Sequence, residues 1–347
     1  MMGQPILPLI FSALTSLILG YPAYLLATRL NIMDVPGSAP HKIHARPTPL
    51  AGGLLLISTL LAVTFVFPRW LNSEIKAVLA GAVVIFAFGL WDDKKGLSAA
   101  PKLLGQVTAS IILIAAGVQV YFMTIFSTAG YITPALAQIL NILITLFWII
   151  GITNALNMID SMDGIAAGLG VIASAFFMGA SQFAGQPQIA FWSAVLCGIS
   201  LGLYFWNKTA AKFFLGDSGA QTIGFLLACL GILYNPLDRN PESSWIVPIM
   251  LLGVPIFDTS LVVLSRIRRK QPVRTGRRDH TYHRLIAMGF SPHLAVFTVH
   301  AAALTVGGLA LWSLYLPPFL ALTFFLLALF SGLIILLWLE KKPTPET

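Results

Sequence analysis

Residues 154–164 read NALNMIDSMDG and follow a stretch, LITLFWIIG, apolar enough to sit in a bilayer. Asn154, Asn157, Asp160 and Asp163 recur every third residue, which on a helix makes a slowly drifting stripe of neighbours on one face. Ordinary helix capping accounts for one Asn or Asp at such a boundary, not for four. The stripe could place several oxygen ligands around a hard cation, with Gly164 allowing backbone or ligand to come close. Three other segments carry chemistry of the same kind. GLWDDKKGLSAAPK sets Asp92 beside Asp93 at the end of an apolar run, where the helix macrodipole already disfavours negative charge. One of the pair retains a proton unless a cation, Lys94, Lys95 or Lys102 compensates. A retained proton suits acid–base work, and a compensated pair suits a metal or phosphate network; a self-neutralising DDKK turn in solvent is the plainer account. AAKFFLGDSGAQ places Asp217 between two glycines at an expected helix start. There it is either an N-cap or, beside free backbone N–H groups, a residue of a phosphate site with a carboxylate available to magnesium. Phe213 and Phe214 just before it either anchor the helix at the interface or stack on a base.

The basic loop SRIRRKQPVRTGRRDHTYHR brings Arg and Lys in two groups, then His280, His283 and Arg284. Guanidinium forks and imidazole N–H groups suit phosphate oxygens. HKIHARPTPLAGG similarly combines Lys42, His44 and Arg46 with a Pro-stiffened turn and Gly52–Gly53. Histidine pairs raise zinc as a reading, but the surrounding oxygen ligands fit magnesium or manganese better.

The elements that must position these groups are membrane helices. The chain of 347 residues is 57% hydrophobic and 10% charged, with a mean hydropathy of +0.84; a soluble domain carries roughly 25% charged residues. Eleven apolar runs predict helices near 5–28, 50–68, 74–91, 102–120, 135–156, 164–182, 188–206, 218–234, 244–265, 294–314 and 318–339. The N-terminus lacks the positive region of a cleavable signal and reads as a retained first helix. With the N-terminus outside, eighteen of the 21 Lys and Arg residues fall on cytoplasmic loops or helix ends, the asymmetry of the positive-inside rule. That topology also explains most of the net charge of +8; a basic face welcomes anionic headgroups or a polyanionic substrate. Cys197 and Cys229 lie in apolar runs, so neither a disulfide framework nor a cysteine metal site is expected. Without a tandem repeat or a domain-sized linker, residues 1–347 read as one all-α, polytopic membrane domain with its active site on the cytoplasmic face. Most of the acidic residues and five of the six histidines converge on that face, which makes a functional site the default reading. A secondary transporter would place such groups near the midplane between repeated halves, and an intramembrane aspartyl protease would need glycine where Phe214 stands.

HKIHARPTPLAGG, WDDKKGLSAAPKLLGQ, NALNMIDSMDG, FLGDSGA, VPIFDT and DHTYHR occur here in the order found in the polyprenyl-phosphate N-acetylhexosamine-1-phosphate transferases, and the chain resembles that family from about residue 30 to 293. The resemblance implies magnesium-dependent transfer of a sugar 1-phosphate from a UDP-sugar to a polyprenyl phosphate, releasing UMP, in the plasma (inner) membrane. Manganese is an alternative ion, a homodimer is compatible, and nucleic acid is not an expected partner. By the resemblance Asp217 and Asn157 are magnesium ligands, and Asp92, with Asp93 beside it, deprotonates or positions the acceptor phosphate. Lys102 partners a phosphate, Phe214 stacks on uracil, and Asp160 and Asp163 line the nucleoside and catalytic pocket. His280, His283 and Arg284 donate to the sugar phosphates, and Lys42, His44 and Arg46 lie in a loop that touches a phosphate. Many members that use N-acetylglucosamine carry His where Tyr282 stands. Members that transfer phospho-N-acetylmuramyl-pentapeptide, the alternative within the family, show three consecutive histidines, which are absent here. The HKIHxxPxP style of the first loop instead resembles the group that starts O-antigen, teichoic-acid or related glycan synthesis, which makes UDP-N-acetylglucosamine the expected donor.

Overall fold

The structure, a computed structural model, describes residues 5–37, 46–236, 244–272 and 278–344. Among them are fourteen α-helices: α1 (Ile6–Arg29), α2 (Gly52–Val66), α3 (Ser73–Lys95), α4 (Ala99–Ala115), α5 (Thr124–Thr128), α6 (Pro134–Ile159), α7 (Ile165–Phe183), α8 (Pro187–Asn207), α9 (Gly216–Leu233), α10 (Ile246–Leu251), α11 (Gly253–Arg268), α12 (Thr281–Ala287), α13 (Pro292–Ser313) and α14 (Pro318–Glu340). Eight of these, α1, α3, α6, α7, α8, α9, α13 and α14, are long and apolar enough to cross a membrane. The shorter apolar helices α2 and α4 account for two more predicted spans. The chain is a multi-pass membrane helix bundle.

The ninth predicted span, 244–265, is two helices meeting at Leu252. Pro255 lacks the N–H that would bond back to Leu251, which favours a break there despite an unbroken apolar run. The sequence also gave no notice of the short helices α5 and α12, nor of an antiparallel pair, β1 (Met33–Asp34) with β2 (Thr48–Pro49).

Small residues let the bundle close. Ser12, Ser16 and Gly20 of α1 face Gly198, Gly202 and Trp206 of α8, and the Ser16 hydroxyl donates to Gly198 O at 3.2 Å. With lipid outside, such close backbone packing replaces the hydrophobic drive of a water-soluble core. The most central spans are α8 and α9, 78% and 72% buried along their apolar stretches, against 11% for α14, whose apolar side chains are mostly exposed. Caps fix both ends of α3, the helix that carries Asp92 and Asp93. Asn72 Oδ1 accepts from Ile75 N at 2.9 Å to start α3, and Gly96, at φ +66°, ends it.

Candidate active site

The first turn of α9 is held where three elements converge. Phe214 N donates to Pro49 O at 2.9 Å, and Phe214 O accepts from Ala51 N and Gly52 N at 3.1 and 3.2 Å. The PTPLAGG and FLGDSG segments are thus stitched together by backbone. A Cβ on Gly53 would lie 2.3 Å from Ser218 Oγ, and one on Gly89 of α3 would lie 2.5 Å from Ser218 Cα. Only hydrogen at both places lets α2 and α3 press against the helix start.

Asp93 closes this junction. Its carboxylate accepts from Asp217 N at 2.6 Å, Ser218 N at 3.1 Å and Ser218 Oγ at 2.5 Å. It therefore supplies, from another helix, the acceptors that the first N–H groups of α9 lack, and meets the positive end of the macrodipole. Asp217 itself is not the cap. Its side chain points to Lys102 and Asn157: Oδ2 accepts from Lys102 Nζ at 2.6 Å, Gln221 Nε2 at 3.1 Å and Asn157 Nδ2 at 3.4 Å. Lys102 also pairs with Asp92, whose Oδ1 accepts from Leu97 N at 2.5 Å. One ammonium thus bridges two carboxylates from different helices. Beneath it, Gln106 and Gln221, both buried, join Asn154 in a chain of carboxamides (Gln106 Nε2 to Gln221 Oε1, 3.1 Å; Asn154 Nδ2 to Gln106 Oε1, 2.8 Å). The two glutamines went unassigned in the sequence, although polar amides inside apolar runs were the available signal.

The stripe 154–163 is not one helical face. Helix α6 ends at Ile159 with Asp160 as its C-cap, and Gly164, at φ +78°, precedes α7. Only Asn154 and Asn157 ride the helix. Asp163, beyond it, accepts from Ala211 N at 3.3 Å. The Asp160 carboxyl is pushed up to about 8, first by burial and then by the charges of Asp217, Asp163 and Asp93.

A second cluster lies on the α12 arm. The buried carboxylate of Asp258, on α11, accepts from His280 Nδ1 and Thr281 N, both at 2.7 Å. Facing a carboxylate, Nδ1 of His280 carries a proton, and Nε2 is the nitrogen left for a ligand. Asp258 stood in the quoted VPIFDT motif without a role; no local spacing links it to a histidine 22 residues on. Tyr282, also buried, brings its hydroxyl within 2.7 Å of both Ser161 O and His283 Nε2. The arm is thereby tied to the loop bearing Asp160 and Asp163.

Two expectations for this arm are corrected. Arg284 does not reach toward a phosphate: it is fully buried, and Nη1 donates to Leu339, Glu340 and Lys342 carbonyls at 2.8, 3.1 and 3.2 Å. Nη2 and Nε are taken by Ser265 Oγ at 2.8 Å and Asp279 O at 3.2 Å. The guanidinium satisfies the last carbonyls of α14, where positive charge is favoured. His283 has its Nε2 on Tyr282 and its Nδ1 buried without a partner, so it offers no free N–H to a phosphate. Burial, with His280 and Arg278 adding to it, lowers its pKa to about 3. Phe214 is half-buried beside Asp217, and Arg46 is exposed; Lys42 and His44 lie outside the described residues.

A membrane bundle that gathers acids, a lysine and histidines at one end of its helices has the layout of a membrane-embedded transferase. A sequence profile of glycosyl transferase family 4 matches residues 75–235. The chain is 33% identical over 294 residues to the probable undecaprenyl-phosphate N-acetylglucosaminyl 1-phosphate transferase of Bacillus subtilis strain 168, covering 84% of this chain and 80% of that one. It is 30% identical over 328 residues to the decaprenyl-phosphate N-acetylglucosaminephosphotransferase of Mycobacterium tuberculosis H37Rv, covering 86% and 80%. It is 28% identical over 315 residues to the undecaprenyl-phosphate alpha-N-acetylglucosaminyl 1-phosphate transferase of Escherichia coli K12, covering 88% and 83%. The chain belongs to glycosyl transferase family 4.

Proposed function

We propose that this protein transfers N-acetylglucosamine 1-phosphate from UDP-N-acetylglucosamine to a polyprenyl phosphate, releasing UMP, as the initiating membrane step of a cell-envelope glycan. The observation that carries the proposal is the Lys102 ammonium shared by Asp92 and Asp217 at the helix ends, beside Asn157. The relatives named for the same acceptor and sugar support it. In the transfer, an oxygen of the lipid phosphate attacks the phosphorus bearing the sugar, and the bond from that phosphorus to the UMP oxygen breaks. Bringing two anions together is the main obstacle, and preorganised positive charge relieves it. Lys102 contacts the phosphates, Asp92 orients the acceptor phosphate or takes its proton, Phe214 stacks on uracil, and His280, braced by Asp258, presents Nε2 to the diphosphate.

Magnesium fits the donor set. The side chains against Asp217 are a lysine and two carboxamides, whose oxygens are hard donors of the kind magnesium takes once an amide turns. Among the described residues no three acids, histidines or cysteines converge to hold an ion unaided. That suits magnesium, which is bound by one or two side chains together with substrate phosphates and water. Asp217 and Asn157 would hold it, and when bound it supplies charge neutralisation at the diphosphate.

The test is UMP release by the purified full-length protein from a panel of UDP-sugars with undecaprenyl phosphate, with and without magnesium. UMP formation with UDP-N-acetylglucosamine, lost on chelation, is expected. Absence of UMP from every sugar in the panel overturns the reading.

A further inference from the structure

The hydroxyl of Tyr282 has one proton and two neighbours at 2.7 Å. Ser161 O is a carbonyl and can only accept, so a contact this short requires the tyrosine proton to lie between them. The other contact then needs a proton from the histidine, which places hydrogen on His283 Nε2. The lowered His283 pKa agrees with a ring holding a single proton, and Nδ1 is left as a bare lone pair. It is also the nitrogen that is buried without a partner. A buried acceptor left unpaired is a standing cost, removed when a donor arrives.

We propose that Tyr282 is a positioning residue that locks His283 as its neutral Nε2–H tautomer, so that His283 meets the donor substrate as a hydrogen-bond acceptor through Nδ1. The ligand group it suits is a neutral O–H or N–H of the nucleotide sugar, a sugar hydroxyl or the acetamido N–H, rather than a phosphate oxygen, which carries no proton to give. His280, whose protonated Nδ1 faces Asp258, can serve a phosphate oxygen only with a second proton on Nε2. The same hydroxyl bonds Ser161 between Asp160 and Asp163, so the acceptor nitrogen is set in register with the acidic loop. The identity of the ligand rests on the transferase reading; the tautomer does not.

The experiment separates the two. Full-length protein labelled with 15N-histidine, in detergent without substrate, is compared with the His283→Gln protein to assign the His283 resonances. A protonated Nε2 with an unprotonated Nδ1 is expected at neutral pH, and Tyr282→Phe should mix the two tautomers. A doubly protonated ring, or a proton on Nδ1, overturns the proposal whether or not the protein turns over. Kinetics then test the ligand. His283→Asn keeps an amide atom where Nδ1 was, and His283→Gln keeps one only at the Nε2 position. The Asn protein should hold its KM for UDP-N-acetylglucosamine within about threefold while Gln raises it about tenfold, the worth of one hydrogen bond. Equal or reversed effects, in proteins with unchanged melting temperatures, overturn the acceptor role.

Discussion

Lys102 Nζ stands 2.6 Å from Asp217 Oδ2, at the point where a bound cation would have to act. The lysine and an ion therefore compete for one oxygen. Lys102→Met should bind manganese in the absence of substrate more tightly than the native protein, measured by paramagnetic titration. It should nonetheless turn over about 100-fold more slowly, because the charge that draws the phosphates in is gone. Weaker manganese binding in the variant would place the ion elsewhere.

Asp92 and Asp93 should separate cleanly. Asp93→Ala strips the acceptor from two N–H groups and a hydroxyl at the start of α9, costing about 2 kcal/mol or more. A lower melting temperature in detergent is the expected readout. Asp92→Asn should abolish turnover while melting close to the native protein. If both variants melt alike, Asp93 is not the brace described.

Asp160, with its carboxyl pushed up to about 8, sets a pH dependence whose sign follows from linkage. Between its ordinary value near 4 and about 8, the folded state holds a proton that the unfolded chain has lost. Its contribution to stability is thus present in full at low pH and falls away as pH rises through this window. Asp160→Asn should flatten the melting temperature over that range. Because Asp217 contributes to the shift, a divalent cation bound there should release a proton at pH 7, seen in weakly buffered solution and lost in the Asn variant.

Arg284→Gln leaves the carbonyls of Leu339, Glu340 and Lys342 short of donors in a buried place. A loss of about 3 kcal/mol or more is expected, with Arg284→Lys recovering part of it. Comparison of urea or thermal unfolding in detergent measures both.

Hydropathy and charge asymmetry made the bundle legible because lipid demands long apolar runs and the cytoplasmic face gathers lysine and arginine. The order of motifs made Asp92, Lys102, Asn157 and Asp217 legible, and the structure brings these four together. Arg284 was not legible: a basic residue inside a basic motif looks the same whether it faces substrate or turns back onto a helix 55 residues later. Leu252 was not legible either, since the apolar pattern passes through the break unchanged. Asp93 reads as a twin of Asp92, yet one residue along a helix turns a side chain by about 100°, enough to send one to the ammonium and the other to the start of α9.

The anchoring of Arg284 on Leu339, Glu340 and Lys342 has a consequence for biosynthesis. Helix α14 is synthesised after every other residue of the site. A nascent chain without it can already hold Lys102 between its two acids and His280 on Asp258, but Arg284 has only Ser265 and the Asp279 carbonyl of its five acceptors. The histidine arm is therefore fully braced only once α14 has packed, and premature stop codons before residue 339 should leave a less active, less stable protein.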